Sequence, residues 1–252
     1  GGRFSREYQE MEAIQLARPL GIQKIVLGVP ARCSVLPLTR GLRAHSQVVV
    51  LQDCPAVIAQ RLRDDELDAA LLPPVECLRK PGVEAVDEPP RFRIIPGIGV
   101  SSEGDSGTEL LLSKVAINSL HHVAIDPAQG KMNALAQIVL SEHCRGRVQF
   151  MELGGDGAEG RIASGDDAFT PTSAFPIRHD LGALWHRISG LPFVHLVWIA
   201  RRGAPLPELR RILALSLLEG LEALDEIAEE SARTLGIDTD VARALFKETL
   251  QY

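Results

Sequence analysis

Cysteine is scarce in this sequence and scattered: Cys33, Cys54, Cys77 and Cys144 stand too far apart to form a paired metal-ligand motif. No apolar leader is recognisable ahead of them, so reduced thiols and a cytoplasmic location are expected rather than a disulfide framework. No stretch approaches the roughly 20 consecutive apolar residues that a membrane-spanning helix needs, and no membrane partner is expected. Positive charge is also in short supply. The 27 Lys and Arg against 33 Asp and Glu leave a formal charge of −6, and the basic residues are dispersed, which argues against a nucleic-acid or anionic-membrane surface. The histidines lack HExxH-like ligand spacing, so no metal site is expected. A Walker-type glycine loop and a GxSxG elbow are missing too, which disfavours phosphoryl transfer and serine hydrolysis. No internal repeat or low-complexity tract competes with a globular reading.

What is present is an alternation of short apolar runs and helical periods. With 252 residues, 45% of them hydrophobic, the chain can bury the core of one or two domains. Residues 3–18 read as a polar helix. Strands are expected at 25–29, 48–51 and 69–72, with a helix over 56–67 between the last two. These make two β-α-β steps. A charged, proline-rich connector at 84–93 leads to a strand at 94–100, which crosses to a second alternating set. That set has strands at 110–112, 123–125 and 148–151, a helix over 132–143 and a glycine-rich loop at 154–160. A strand at 194–199, a long helix over 206–235 and a final helix over 239–250 close the chain. The expected fold is therefore α/β and two-lobed, like type-two periplasmic binding proteins. Residues 1–97 and 200–252 would form one lobe, residues 98–199 the other, and a ligand cleft would lie between them.

The most distinctive block is DLGALWHRISGLPFVHLVW, from Asp180 to Trp198. Leu181, Leu184, Trp185 and Ile188 recur at helical steps, Asp180 is placed as an N-cap, and Gly190 ends the helix. Pro192 then forces the chain out as an extended strand. With LPLTRGL (36–42), PAVIAQRLRDDELDAALLPPVE (55–76), GVSSEGDSGTELLLSK (99–114) and SGDDAF (164–169), this block resembles the menaquinone-biosynthesis family of the futalosine route. The resemblance covers most of residues 22–250 and is closer to the chorismate dehydratase branch than to the dihydroxynaphthoate synthase branch. It implies a hydro-lyase that removes water from chorismate to give 3-[(1-carboxyvinyl)oxy]benzoate, with no metal or organic cofactor.

Three loops face the expected cleft. In the first, residues 30–36, Ser34 stands where the family usually has an Asn. It reads either as a ligand contact or as a helix cap ahead of Pro37. In the second, Thr108 stands where the family commonly has a Ser, and Gly107 beside it would let backbone amides approach a ligand. The resemblance assigns Ser34 and Thr108 to the leaving hydroxyl or the ring. The third loop, DPAQGKM (126–132), opens a helix in an anion-binding arrangement, with Gln129, Gly130, Lys131 and Met132 as candidate carboxylate contacts. The alternative for Lys131 is a solvated first-turn lysine, the commoner use of that position. Asp166 in the 165–167 loop is a further substrate-binding candidate, with turn capping as its alternative. His195 in the apolar strand reads as a core histidine whose place on the cleft wall stays open. The partner expected is a small-molecule carboxylate, and self-association as a homodimer is compatible with the fold. A differently specific or non-catalytic carboxylate binder of the same fold is the alternative to the dehydratase.

Overall fold

Ile25, Val26, Leu27 and Val29 form an apolar run without alternation, the pattern of a strand covered on both faces. In the computed structural model, which describes residues 24–77 and 90–252, they lie in β1 (Ile25–Pro30), and every residue of this strand is buried. The helix expected over 3–18 and most of the connector at 84–93 fall outside the described residues. The short helix α1 (Leu36–Thr39) follows β1, with Pro37 in its first turn. β1 pairs in parallel with β2 (Val48–Asp53) and β3 (Ala69–Leu72), and α2 (Pro55–Arg63) makes the crossover. The helix expected to reach residue 67 stops at Arg63, because Asp65 takes a left-handed φ of 59°. That turn directs Leu67 into the core, fully buried.

β4 (Phe92–Ser102) and β10 (Phe193–Arg201) run antiparallel in the same sheet, and β10 also flanks β3. With β11 (Leu250–Gln251) at one edge, the strand order is β11-β4-β10-β3-β1-β2. Trp198 on β10 sits fully buried at its centre, among Leu27, Leu71, Ile95 and Leu213. A second sheet, of order β7-β6-β8-β5-β9, is built from β5 (Glu109–Ser113), β6 (His122–Ile125), β7 (Gln149–Glu152), β8 (Gly160–Ser164) and β9 (Ile177–Asp180). It has a core of its own. Leu111, Val123 and Ile162 pack there with Val139 and Leu140 of α3 (Asn133–His143) and with Leu181 and Leu184 of α4 (Leu181–Ser189). The chain thus forms the two α/β lobes expected. The boundaries drawn at 97/98 and 199/200 fall inside β4 and β10, which pair from Phe193 with Ser102 to Arg201 with Phe92 across two register shifts and so keep 99–102 and 193–199 with the first sheet.

The Asp180–Trp198 block folds as its pattern predicts. The Asp180 carboxylate accepts from the amides of Gly182 and Ala183, and Gly190 ends α4 in the left-handed region. Ile188 departs from that reading, standing exposed rather than in the core. The long helix expected over 206–235 breaks at Ala223 into α5 (Leu206–Glu222) and α6 (Leu224–Leu235). The last expected helix is α7 (Thr239–Ala244), after which one π-helical turn, Leu245–Thr249, leads into β11. No sequence period announced β9 or β11, because each is a short edge strand whose pairing partner is distant in sequence.

α5 matters for the site because it lies directly on α1, the helix that ends the first cleft loop. The Ser216 hydroxyl donates to the Leu38 carbonyl at 2.8 Å, and a Cβ at Gly220 would lie only 1.8 Å from the Pro37 carbonyl oxygen. Helix and backbone therefore touch where no side chain fits. Gly220→Ala should destabilise the protein by about 2–4 kcal/mol in urea unfolding, the overpacking penalty outweighing the helix-propensity gain of alanine.

Candidate functional site

Parallel strands deliver their C-terminal ends to the cleft of an α/β sheet, and β1 delivers Arg32. Its side chain is only 5% exposed, and a guanidinium so buried must be neutralised and hydrogen-bonded. The partners come from the other lobe. Arg32 Nη1 lies 3.5 Å from Glu109 Oε1 at the start of β5, and Nη2 donates to Gln129 Oε1 at 3.1 Å. The guanidinium also packs flat beneath Gly165, whose φ is 64° and where a Cβ would press on Arg32 Cζ at 3.1 Å. A fourth tie runs the opposite way, the Cys33 amide donating to Asp166 Oδ1 at 2.8 Å.

Burial dominates the electrostatics. It raises the Glu109 carboxyl to about 7; the Arg32 charge and the Ser164 hydroxyl across the strand pull it down, and Asp180 pushes it up. It lowers the His195 imidazole to about 3, with the Arg32 charge adding to the effect. The same burial, reinforced by Asp166, pushes the Cys33 thiol far above its usual range, so this cysteine is no thiolate nucleophile. At neutral pH the site therefore holds one fixed cation, a carboxyl group that carries a proton part of the time, and a neutral imidazole.

The candidates read from the sequence fall around this centre unevenly. Ser34 and Thr108 are both buried at the seam. Ser34 lies in a 3-10 turn, Cys33–Val35, and does not cap α1, whose N-cap is Val35 with no side-chain bond, so the capping alternative is corrected. Gln129 reaches the centre through Arg32, and Asp166 reaches it as the acceptor of a lobe-one amide. Gly107 does not offer its amide, which donates to Asp180 Oδ2 at 2.8 Å. The 126–132 loop is not the open helix N-terminus expected. It is a 3-10 turn, Pro127–Met132, kinked at Gly130 (φ 55°, ψ −134°), and α3 begins only at Asn133. Two of its amides are already satisfied, Ala128 by the Asp126 carboxylate and Gln129 by the Asp126 carbonyl. The side chains of Lys131 and Met132 lie outside the described residues. Arg32 and Glu109 escaped the sequence reading, although each left a trace. Arg32 is the one charge in the run from Ile25 to Leu38, and Glu109 opens its strand ahead of three leucines.

A family model described as menaquinone biosynthesis matches residues 25–252. The chain belongs to that family. A curated relative, chorismate dehydratase of Thermus thermophilus, is 29% identical over 235 residues, spanning 84% of this chain and 83% of the relative. Among solved structures, a protein of Archaeoglobus fulgidus superposes with a TM-score of 0.67 at 14% identity, covering 90% of this chain and 88% of that one. The alkanesulfonate-binding protein SsuA of Xanthomonas axonopodis pv. citri, bound to MOPS, superposes at 0.55 with 11% identity over 91% of this chain and 86% of its own. These likenesses give the two lobes their fold, that of the periplasmic binding proteins. The family match also spans every residue of the Arg32 centre.

The Glu109 shift has a measurable sign. Its native pKa of about 7 lies above the ordinary 4.5, so the native state holds a proton that the unfolded chain releases. Its contribution to stability is present below pH 4.5 and lost as pH rises through 7. Urea unfolding across this window should show wild type losing on the order of 3 kcal/mol relative to Glu109→Gln, which has no such proton to lose. Parallel profiles for the two proteins would mean that the carboxyl is not perturbed.

Proposed function

We propose that this chain is a chorismate dehydratase, a hydro-lyase that converts chorismate to 3-[(1-carboxyvinyl)oxy]benzoate. The observation that carries the reading is the buried Arg32 guanidinium, met by Glu109 and Gln129 from the opposite lobe, in a chain of the menaquinone-biosynthesis family. Its likeness to the chorismate dehydratase of Thermus thermophilus supports it. The elimination gains an aromatic ring, so it asks the protein mainly to hold an acid, assist the departing hydroxyl and exclude water. Arg32 offers the planar fork that suits a carboxylate. A substrate carboxylate there takes over the cation from Glu109 and so favours the protonated Glu109.

In this mechanism Glu109 gives its proton to the ring hydroxyl, which leaves as water as its carbon–oxygen bond breaks. The Glu109 carboxylate then takes the proton from the neighbouring ring carbon, and the electrons of that carbon–hydrogen bond complete the aromatic ring. Acid and base are thus the same group, restored at the end of the cycle. Ser34 and Thr108, buried on either side of the seam, are proposed to contact the ring or the leaving hydroxyl. Gln129, Gly130, Lys131 and Met132 are proposed to border the second carboxylate. A non-catalytic carboxylate binder is the second reading, favoured by Ser34 standing where the family usually has an amide side chain.

Purified protein incubated with chorismate, followed by ultraviolet absorbance and mass, separates the two. The dehydratase produces the aromatic acid, lighter by one water; a binder returns chorismate unchanged. Arg32→Ala should lower kcat/KM by about 100-fold or more, largely through KM, and Glu109→Gln should lower kcat by about 100- to 10,000-fold.

A further inference from the structure

One buried polar group beside Arg32 has no part in the chemistry above. In the β4–β10 ladder, Val194 pairs with Ser101 and Leu196 with Val100, so His195 is the extra residue of a β-bulge. Bulges re-aim a side chain that a regular ladder would direct elsewhere, and they recur beside active sites. His195 is only 3% exposed. Its Nε2 lies 2.9 Å from the Ser102 hydroxyl, and the Phe193 ring meets the imidazole edge-to-face at 4.7 Å. Bulge, hydroxyl and ring together fix the imidazole. Its Nδ1 is buried and has no hydrogen-bond partner among the described residues. The ring lies close enough to Arg32 to feel its charge, and it is neutral across the physiological range.

Aromatic packing alone does not account for this residue. A phenylalanine would fill the space without burying an unsatisfied nitrogen, which is costly. A neutral imidazole held by one nitrogen presents a single hydrogen-bonding atom at the other, and it adds no charge to a site that already has its cation. A hydroxyl is the natural complement, since it can donate or accept and so suits either tautomer.

We propose that His195 contacts the ligand and sets specificity, its Nδ1 hydrogen-bonding a hydroxyl of the acid whose carboxylate Arg32 holds. This rests on the carboxylate-site reading but not on chorismate as the acid. The site thereby selects hydroxylated ring acids over their deoxy counterparts.

Calorimetry with chorismate, 4-hydroxybenzoate and benzoate on wild type and His195→Phe tests it, together with nitrogen-15 NMR of the His195 ring. His195→Phe should weaken the two hydroxylated acids by about 10- to 100-fold while leaving benzoate within about 3-fold. The Nδ1 resonance should move with the hydroxylated acids and not with benzoate. Should His195→Phe fold poorly, His195→Asn, which keeps a polar end, should retain the preference for the hydroxylated acids. Equal losses for all three acids, or a silent Nδ1, would make His195 purely structural and overturn the proposal. If 4-hydroxybenzoate binds in a His195-dependent manner while chorismate neither binds nor reacts, the role of His195 stands and the chorismate reading falls. If wild type binds none of the three, both fall.

Discussion

A guanidinium taken out of water is the constraint around which this molecule is arranged. Arg32 leaves the end of β1 into the seam between two lobes, where its hydration must be replaced by groups of the other lobe, Glu109 and Gln129, while Gly165 packs against the guanidinium. Such a pair is poor value as a device for stability, since desolvating both charges offsets most of their attraction. A hydrophobic pair in the same place would close the seam at least as firmly. What the charges provide is a seam that already contains a cation and a carboxyl group of adjustable protonation.

The two sheets explain how distant parts of the chain supply that equipment. The first sheet presents Arg32 and the Cys33–Val35 turn from β1, together with Ser102 and His195 from its antiparallel pair. The second presents Glu109 from β5, and the Gly165–Phe169 turn follows directly from β8, the neighbour of β5. Each contributing residue sits at a strand end or a bulge, where a side chain can leave the regular alternation of the sheet. The packing behind them is tight enough to hold these positions, as the contact between Gly220 and the Pro37 carbonyl indicates.

Much of this was legible in the residues. The aliphatic strands, the α/β alternation and the Asp180–Gly190 helix follow from local period, capping and breaker chemistry, which a single sequence carries in full. The ends of elements were harder. Asp65 and Ala223 interrupt helices whose hydrophobic pattern runs on, because a left-handed turn or a change of axis is decided by what the next segment must reach. The candidate site was legible only as a set of loops. Gln129 meets Arg32 across the seam and Ser34 and Thr108 are buried, but the amides of Gly107 and Ala128 are engaged by Asp180 and Asp126. Arg32 and Glu109 form a pair 77 positions apart, a relation that no local pattern records.

Asp180 carries a wider implication than its role as a helix cap. Its two oxygens accept from Ser106 and Gly107 on the outgoing strand connection and from Gly182 and Ala183 in the first turn of α4. The connection leaving the first sheet is thereby tied to the first turn of α4, so this loop and this helix are held as one unit. One carboxylate thus serves as the clasp between an inter-lobe connection and the body of the second lobe, while the 127–132 turn meets α2 of the first lobe at Ala56.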